Sequence, residues 1–236
     1  MSGTRSRPPG FFAAAAIIAG KDLRIEGRTK ETLLATFLFA LVELVVFGFA
    51  FDLDTIRRMG PGKVVPGLLW LTLAFAAIVG FTRSFRLERA HEALIAVALA
   101  PVDRGAVFVG KWIANFALLV TLCAILVPLT AVFFDVNIVA VAAPLTLVIL
   151  VHTVGLASLG TLFGGVVSRL GRGEALLATL LLPAATPLFL SAVHCTASVL
   201  ESSPLASARK WLLLTVGLDV LYVLVAILIF DAILEE

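Results

Sequence analysis

Residues 211–230 read WLLLTVGLDVLYVLVAILIF and decide the class of fold. This stretch contains a single charged residue, Asp219. The hydrocarbon core of a bilayer is about 30 Å thick and needs about 20 such residues to be crossed by a helix. Apolar and polar residues do not alternate here, as they would in a strand of a membrane barrel. The stretch therefore predicts a transmembrane α-helix.

The composition extends this prediction to the whole chain. Of the 236 residues, 61% are hydrophobic and 14% are charged, and the mean hydropathy is +1.09. A soluble domain has about 25% charged residues, because it must present a polar surface to water. Since lipid cannot satisfy backbone amides, the spans must form their hydrogen bonds internally as helices. The net charge of +2 gives no indication of nucleic-acid binding.

Six stretches are long and apolar enough to cross a membrane. Pro183 and Pro187 each remove a backbone donor, so we expect the fifth span to be kinked or broken. We predict an all-α integral membrane protein with an N-terminal interfacial helix and a cytoplasmic amphipathic coupling helix between spans 2 and 3. The six predicted spans cover residues 32–51, 64–82, 106–134, 138–167, 175–193 and 211–230.

The chain before the first span divides into two predicted parts. Residues 1–10 are polar and contain prolines, which is typical of a disordered tail. Residues 11–31 contain too short an apolar run to span, followed by charges, and predict an interfacial helix. A cleavable signal peptide is the alternative. We predict that residues 32–236 form one six-span transmembrane domain. The charged residues of the interfacial helix are Lys21, Asp22, Arg24, Glu26 and Arg28.

The distribution of basic residues predicts the orientation. Thirteen Lys and Arg residues lie on the side of the termini, and five lie in the loops on the other side. Because cytoplasmic loops are enriched in Lys and Arg, both termini are expected in the cytoplasm, and the protein in the bacterial inner membrane. Trp70, Trp112 and Trp211 lie near span ends, which predicts interfacial anchors.

The segment between spans 2 and 3 is the strongest functional signal. Its first half is charged, its second half is apolar, and Pro101 ends it before a turn. This pattern predicts a cytoplasmic amphipathic helix of the kind that ABC-type permeases dock on an ATPase. A plain connector that anchors the two spans is an equally good interpretation. The residues proposed for docking are Arg86, Glu88, Arg89, Glu92, Leu94, Pro101, Asp103 and Arg104.

A nucleotide-binding motif is matched only in part. Residues 105–111 fit GxxxxGK, but Trp112 stands where a P-loop needs Ser or Thr for Mg²⁺. The match opens a membrane helix and does not follow a strand. We therefore expect Gly110 to allow close helix packing and Lys111 to extend to the lipid headgroups. Any ATP hydrolysis must come from another chain.

Three ionisable residues lie well away from the ends of predicted spans, namely Glu43, His152 and Asp219. Each is costly in lipid and should face the interior of the bundle. Glu43 and Asp219 lie at similar depth, so they can line one polar path or share a proton with His152. The simpler interpretation, which we favour, is that each is hydrogen-bonded to Ser, Thr or backbone and fixes the packing.

Small residues recur every four positions in the fourth span. Ala157, Thr161 and Gly165 form one row, and Gly160 and Gly164 form another. Such rows let two helices approach closely. Packing within the chain is slightly favoured over a dimer interface.

Several short motifs resemble those of the CcmB family of cytochrome c maturation permeases. They are KDLRIEGR at residues 21–28, LER at 87–89, PVDR at 101–104, and Gly110-Lys111 with Asn115. The resemblance covers residues 11–236, including the length and the six spans. It implies a separate ABC ATPase, a heme-handling membrane subunit and a small single-span subunit as partners. It also implies a homodimer, and it carries the docking role over to about residues 83–104.

These observations favour a non-enzymatic permease subunit of an ABC-type complex for c-type cytochrome biogenesis, acting in heme delivery or in release of a heme chaperone. An ABC-2-like exporter of another substrate is the first alternative. A proton-coupled secondary transporter that uses Glu43, His152 and Asp219 is the second. Cys123 and Cys195 form no CxxC or Cys/His cluster. No catalytic residue, metal ligand or cofactor is assigned.

Overall fold

The computed structural model describes residues 10–90, 103–170, 174–201 and 207–233. Every regular element in these ranges is an α-helix, and six of the helices are long and apolar enough to span a membrane. The all-α, six-span prediction is confirmed. The helices are α1 (Phe11–Thr29), α2 (Glu31–Ala50), α3 (Leu53–Met59), α4 (Pro61–Ala90), α5 (Arg104–Phe133), α6 (Ala142–Leu170), α7 (Glu174–Leu200) and α8 (Arg209–Ile233).

The predicted spans agree with α2 and α4 to α8, with two differences. The fifth span runs on to Leu200, and Pro183 and Pro187 lie inside a continuous helix. Of the two outcomes expected for this span, the break is ruled out, since a membrane bundle tolerates prolines inside a continuous helix. The kink stays a prediction. The fourth span begins at Ala142, after an irregular connection. Helix α3 in the first loop has no counterpart in the prediction.

Two helices form the centre of the bundle and two lie at its edge. Helices α4 and α6 are mostly buried, whereas α2 and α8 are mostly exposed. Helix α2 packs mainly on α4 and α5, and α8 packs on α5, α6 and α7. The apolar surface of α2 and α8 is therefore available to lipid or to another membrane chain.

Side-chain contacts define the two ends of the bundle. At one end, Arg83 near the end of α4 pairs with Glu31 at the start of α2, at 3.3 Å. We call this the basal end; α2, α5 and α7 begin there, and α1 lies beside it. At the opposite end, Arg57 of α3 forms an ion pair with Asp135, which follows α5. The two loops at that end are thus tied together.

The rows of small residues in α6 pack within the chain, as favoured. A Cβ atom on Gly160 would overlap the ring of Phe81. A Cβ atom on Gly164 would come within 2.5 Å of the Phe85 ring. Two aromatic side chains of α4 thus fill the space over these glycines, which explains the close approach of the two central helices.

The tryptophan prediction is wrong for Trp70. This side chain is buried, and its Nε1–H donates to Thr196 Oγ1 at 2.9 Å. Helix α4 begins at Pro61, so Trp70 lies roughly 14 Å along the helix from its first residue. Trp112 and Trp211 are half-buried, and Trp211 stacks on His194 with ring centroids 4.4 Å apart.

Candidate functional site

The predicted docking segment is described only at its ends. Arg86, Glu88 and Arg89 lie in the last turns of α4, whereas Glu92, Leu94 and Pro101 lie outside the described residues. Their docking role stays a prediction.

The end of the segment is fixed by Asp103, the N-cap residue of α5. Its Oδ1 accepts the backbone N–H of Gly105 at 2.8 Å and that of Ala106 at 3.4 Å. Such a cap satisfies donors that the first turn of a helix leaves free. Arg104 is the first residue of α5. Asp103 thus has a structural role that is independent of any partner.

A buried lysine lies at the basal end, where α1, α4 and α5 meet. Lys111 of α5 is 3% exposed. Its Nζ is 3.3 Å from Asp22 Oδ2 of α1 and 5.0 Å from the ring centroid of Phe85 of α4. The expectation that Lys111 extends to the headgroups is therefore wrong. A carboxylate and an aromatic face within reach stabilise its charge inside the protein.

The neighbouring glycine explains why α1 lies so close to α5. A Cβ atom on Gly110 would stand 2.8 Å from the carbonyl oxygen of Ala15 and 2.8 Å from Ile18 Cβ. The predicted role of Gly110 in close packing is confirmed. On the facing side of α1, Ala14, Ala15 and Ala19 are buried.

The charged residues predicted for the interfacial helix fall into two groups. Asp22 pairs with Lys111 and also with Lys21, at 3.1 Å. Glu26 Oε1 accepts the backbone N–H of Leu33 at 2.7 Å, so it caps the first turn of α2. Arg24 and Arg28 are exposed. A helix covers residues 11–29, but its position at a membrane surface stays a prediction.

A cavity of about 740 Å³ lies between α1, α2, α4 and α5 beside this ion pair. Charged side chains, including Lys21, Asp22 and Lys30, belong to its α1 side and to the turn into α2. Leu118 and Ala114 belong to its α5 side. Leu23 and Ile25 share the α1 side with these charges, and Asn115 lies on the α5 side, so the lining mixes charged, polar and apolar groups.

A second polar cluster joins three helices deeper in the bundle. His152 of α6 is fully buried, and its Nδ1 lies 2.7 Å from the carbonyl oxygen of Val148. Since a carbonyl only accepts, Nδ1 donates. Nε2 lies 3.2 Å from Ser191 Oγ of α7 and 3.0 Å from Thr215 Oγ1 of α8. The hydroxyls lie 2.6 Å apart. The arrangement agrees with the packing interpretation of this histidine.

The two intramembrane carboxyls differ from His152. Among the described residues, Glu43 Oε2 and Asp219 Oδ1 are buried without a hydrogen-bond partner. Asp219 lies against Gly155, where a Cβ atom would overlap Oδ1. Glu43 lies on α2, which packs mainly on α4 and α5, whereas His152 and Asp219 lie on α6 and α8. No described hydrogen bond joins Glu43 to the other two.

Comparison with known proteins identifies the family. The family model described as "CcmB protein" matches residues 13–235. The chain belongs to the CcmB family. The match includes all six membrane-spanning helices and begins inside α1, so the resemblance seen in short motifs is confirmed. The chain is also 24% identical over 191 residues to "Heme exporter protein B" of Bradyrhizobium diazoefficiens, covering 80% of this chain and 83% of that relative.

Sequence reasoning missed the role of Lys111 in this CcmB-family chain. One signal was available, because Lys111 lies five residues inside the predicted span 106–134, and a lysine within a membrane helix is costly unless it is paired. Nothing in the sequence indicated that the partner is Asp22, which lies 89 residues earlier. The contribution of Phe85 also depends on how α4 packs.

Proposed function

We propose that this chain is the membrane permease subunit of an ABC-type complex that serves c-type cytochrome maturation, by heme delivery or by release of a heme chaperone. The observation that carries the proposal is the match to the CcmB family over residues 13–235. Further support comes from the name of the relative, Heme exporter protein B. The chain works in the bacterial inner membrane with both termini in the cytoplasm.

The chain is not itself an enzyme in this proposal. ATP hydrolysis belongs to a separate ATPase, and the docking segment at residues 86–104 contacts it from the cytoplasm. A heme-handling membrane subunit and a small single-span subunit complete the complex, and two copies of this chain form its membrane halves. In support, α4 ends in the segment at the basal end and α5 begins there with the Asp103 cap.

The test is affinity purification of the tagged chain from its native membrane, followed by mass spectrometry. We expect a P-loop ATPase and a multispan heme-binding protein to be recovered together. An ATPase without the heme-binding protein would favour an ABC-2-like exporter. Recovery of no ATPase would contradict both and leave the proton-coupled transporter.

The docking segment has its own test. Glu88→Ala combined with Arg89→Ala should lower the yield of mature c-type cytochrome, while the protein still accumulates in the membrane. The control is Asp54→Ala combined with Arg58→Ala, which makes the same charge changes on α3 at the opposite end. We expect the control to mature cytochromes normally. A normal yield of mature cytochrome from the docking variant would contradict the role of the segment in docking the ATPase.

A further inference from the structure

We infer that Lys111, held by Asp22 and Phe85, is a positioning residue that carries movement of the docking segment to α1 and the spans. This inference rests on the proposed function, because it presupposes that a partner binds the segment. It adds the residue of this chain through which the movement passes from the docking segment to the other helices.

Side chains of three helices meet at Lys111 among the described residues. Lys111 Nζ of α5 is 3.3 Å from Asp22 Oδ2 of α1. The same ammonium lies 5.0 Å from the centroid of the Phe85 ring of α4. Lys111 is 3% exposed, and the Asp22 side chain is 17% exposed. The interaction is therefore largely shielded from water. Two opposite charges attract each other more strongly in such surroundings than in bulk water.

The position of the pair along the chain gives it a role beyond packing. Phe85 immediately precedes Arg86, the first residue proposed for docking, and Asp103 caps the helix that carries Lys111. Lys111 lies eight residues after Asp103, which is roughly 12 Å along α5. Both ends of the docking segment thus continue into helices that meet at Lys111.

The chemistry suits transmission better than apolar packing would. A buried ion pair is often no more stabilising than well-packed apolar residues of the same size, and it can instead impose a specific geometry. Here a shift of Phe85 or of α5 changes the surroundings of the Lys111 ammonium, whose carboxylate partner Asp22 lies on α1. Because Gly110 brings α1 and α5 into close contact, such a shift reaches α1 and, through Lys30, α2.

The first variant for the test is Lys111→Met combined with Asp22→Asn, which neutralises both members of the pair together. We expect this protein to accumulate and to recover the ATPase on purification. We expect cytochrome yield per ATP hydrolysed to fall about fivefold or more, the usual size of coupling between sites. Exchange of the two charges, by Lys111→Asp with Asp22→Lys, should recover part of that yield.

The matched control is Lys21→Met. It removes an ammonium 3.1 Å from the same carboxylate, but from a side chain that is 42% exposed. We expect its yield per ATP to equal that of the wild type. A loss in this control as large as in the neutral pair would overturn the inference, since any charge change near Asp22 would then suffice.

A second variant keeps the inference testable if the neutral pair does not accumulate. Phe85→Leu retains an apolar side chain over Gly164 and removes the aromatic face beside Lys111. We expect an unchanged ATPase rate with a lower cytochrome yield. A wild-type yield per ATP would overturn the inference if it were found for Phe85→Leu, or for a Lys111→Met, Asp22→Asn protein that recovers the ATPase. Lys111 would then serve packing only, and the proposed function would still stand. Failure of the wild-type chain to recover an ATPase would instead overturn the proposed function.

Discussion

Single polar side chains inside the bundle differ in the number of partners that hold them. His152 has a carbonyl on one ring nitrogen and two hydroxyls near the other. Asp219 and Glu43 each keep one buried oxygen without a described partner. Lys111 has a carboxylate and an aromatic ring among its partners. Because an unpaired buried polar group is costly, these positions differ in what a substitution should do.

The two hydroxyls beside His152 give a prediction at this scale. Ser191→Ala or Thr215→Val alone should lower the free energy of unfolding by less than about 1 kcal/mol, because Nε2 of His152 keeps one hydroxyl donor. The double variant should lower the free energy of unfolding by more than the two single variants together. Its Nε2 is a buried acceptor without a partner, and leaving such a group unsatisfied costs about 1–3 kcal/mol. Unfolding of purified protein in mixed micelles measures all three. Simple additivity would show that the hydroxyls do not share the imidazole.

At the scale of helices, backbone approach decides which elements form a unit. Helix α1 lies against α5 at Gly110, where backbone and side chain leave no room for a Cβ atom. Helices α4 and α6 approach through Gly160 and Gly164. The turn at Lys30, with a φ of 53°, joins α1 to α2 directly. Helix α1 is therefore packed on the bundle as well as linked to it.

This contact predicts the effect of one added methyl group. Gly110→Ala should destabilise the protein by about 1–3 kcal/mol, because the Ala15 carbonyl and Ile18 must move. The control is Gly217→Ala on α8, where nothing lies within 4 Å of the new Cβ. That change should be neutral or slightly stabilising, since Ala favours helix over Gly. Thermal unfolding in detergent separates the two, and equal melting temperatures would contradict the close contact.

At the scale of the whole molecule, an even number of spans places the start of α2 and the end of α8 at the same end of the bundle, the basal end. The surplus of basic residues at that end supports a cytoplasmic position. The opposite end carries α3 and the Arg57–Asp135 pair. Both native cysteines are buried, so introduced cysteines can report the orientation against a low background.

The orientation prediction uses two single-cysteine additions. Asp54→Cys on α3 should react with a membrane-impermeant maleimide in intact spheroplasts. Arg28→Cys on α1 should react only after the membrane is permeabilised. The unmodified chain, with Cys123 and Cys195 buried, serves as the control. Reaction of Arg28→Cys alone in intact spheroplasts would reverse the proposed orientation.

How far the site was predictable depends on the kind of interaction. The close approach at Gly110 was predicted from a small residue in a membrane helix. The cap at Asp103 was not predicted, because the span was expected to begin at residue 106 and the helix begins at Arg104. The burial of Trp70 and of Lys111 did not follow, because each depends on a partner in a distant helix, Thr196 and Asp22 respectively. Local hydropathy contains no information about such partners.

By itself, the sequence determined the all-α class, the number of spans, their approximate limits and the family. The reason is physical: the free energy of placing a helix in lipid is a sum over its own residues, and it can be evaluated one stretch at a time. Only the tertiary structure decided that α1 packs on α5, that Phe81 and Phe85 cover the glycines of α6, and that Lys111 is buried with Asp22. These outcomes depend on pairwise packing between helices, which no single stretch encodes.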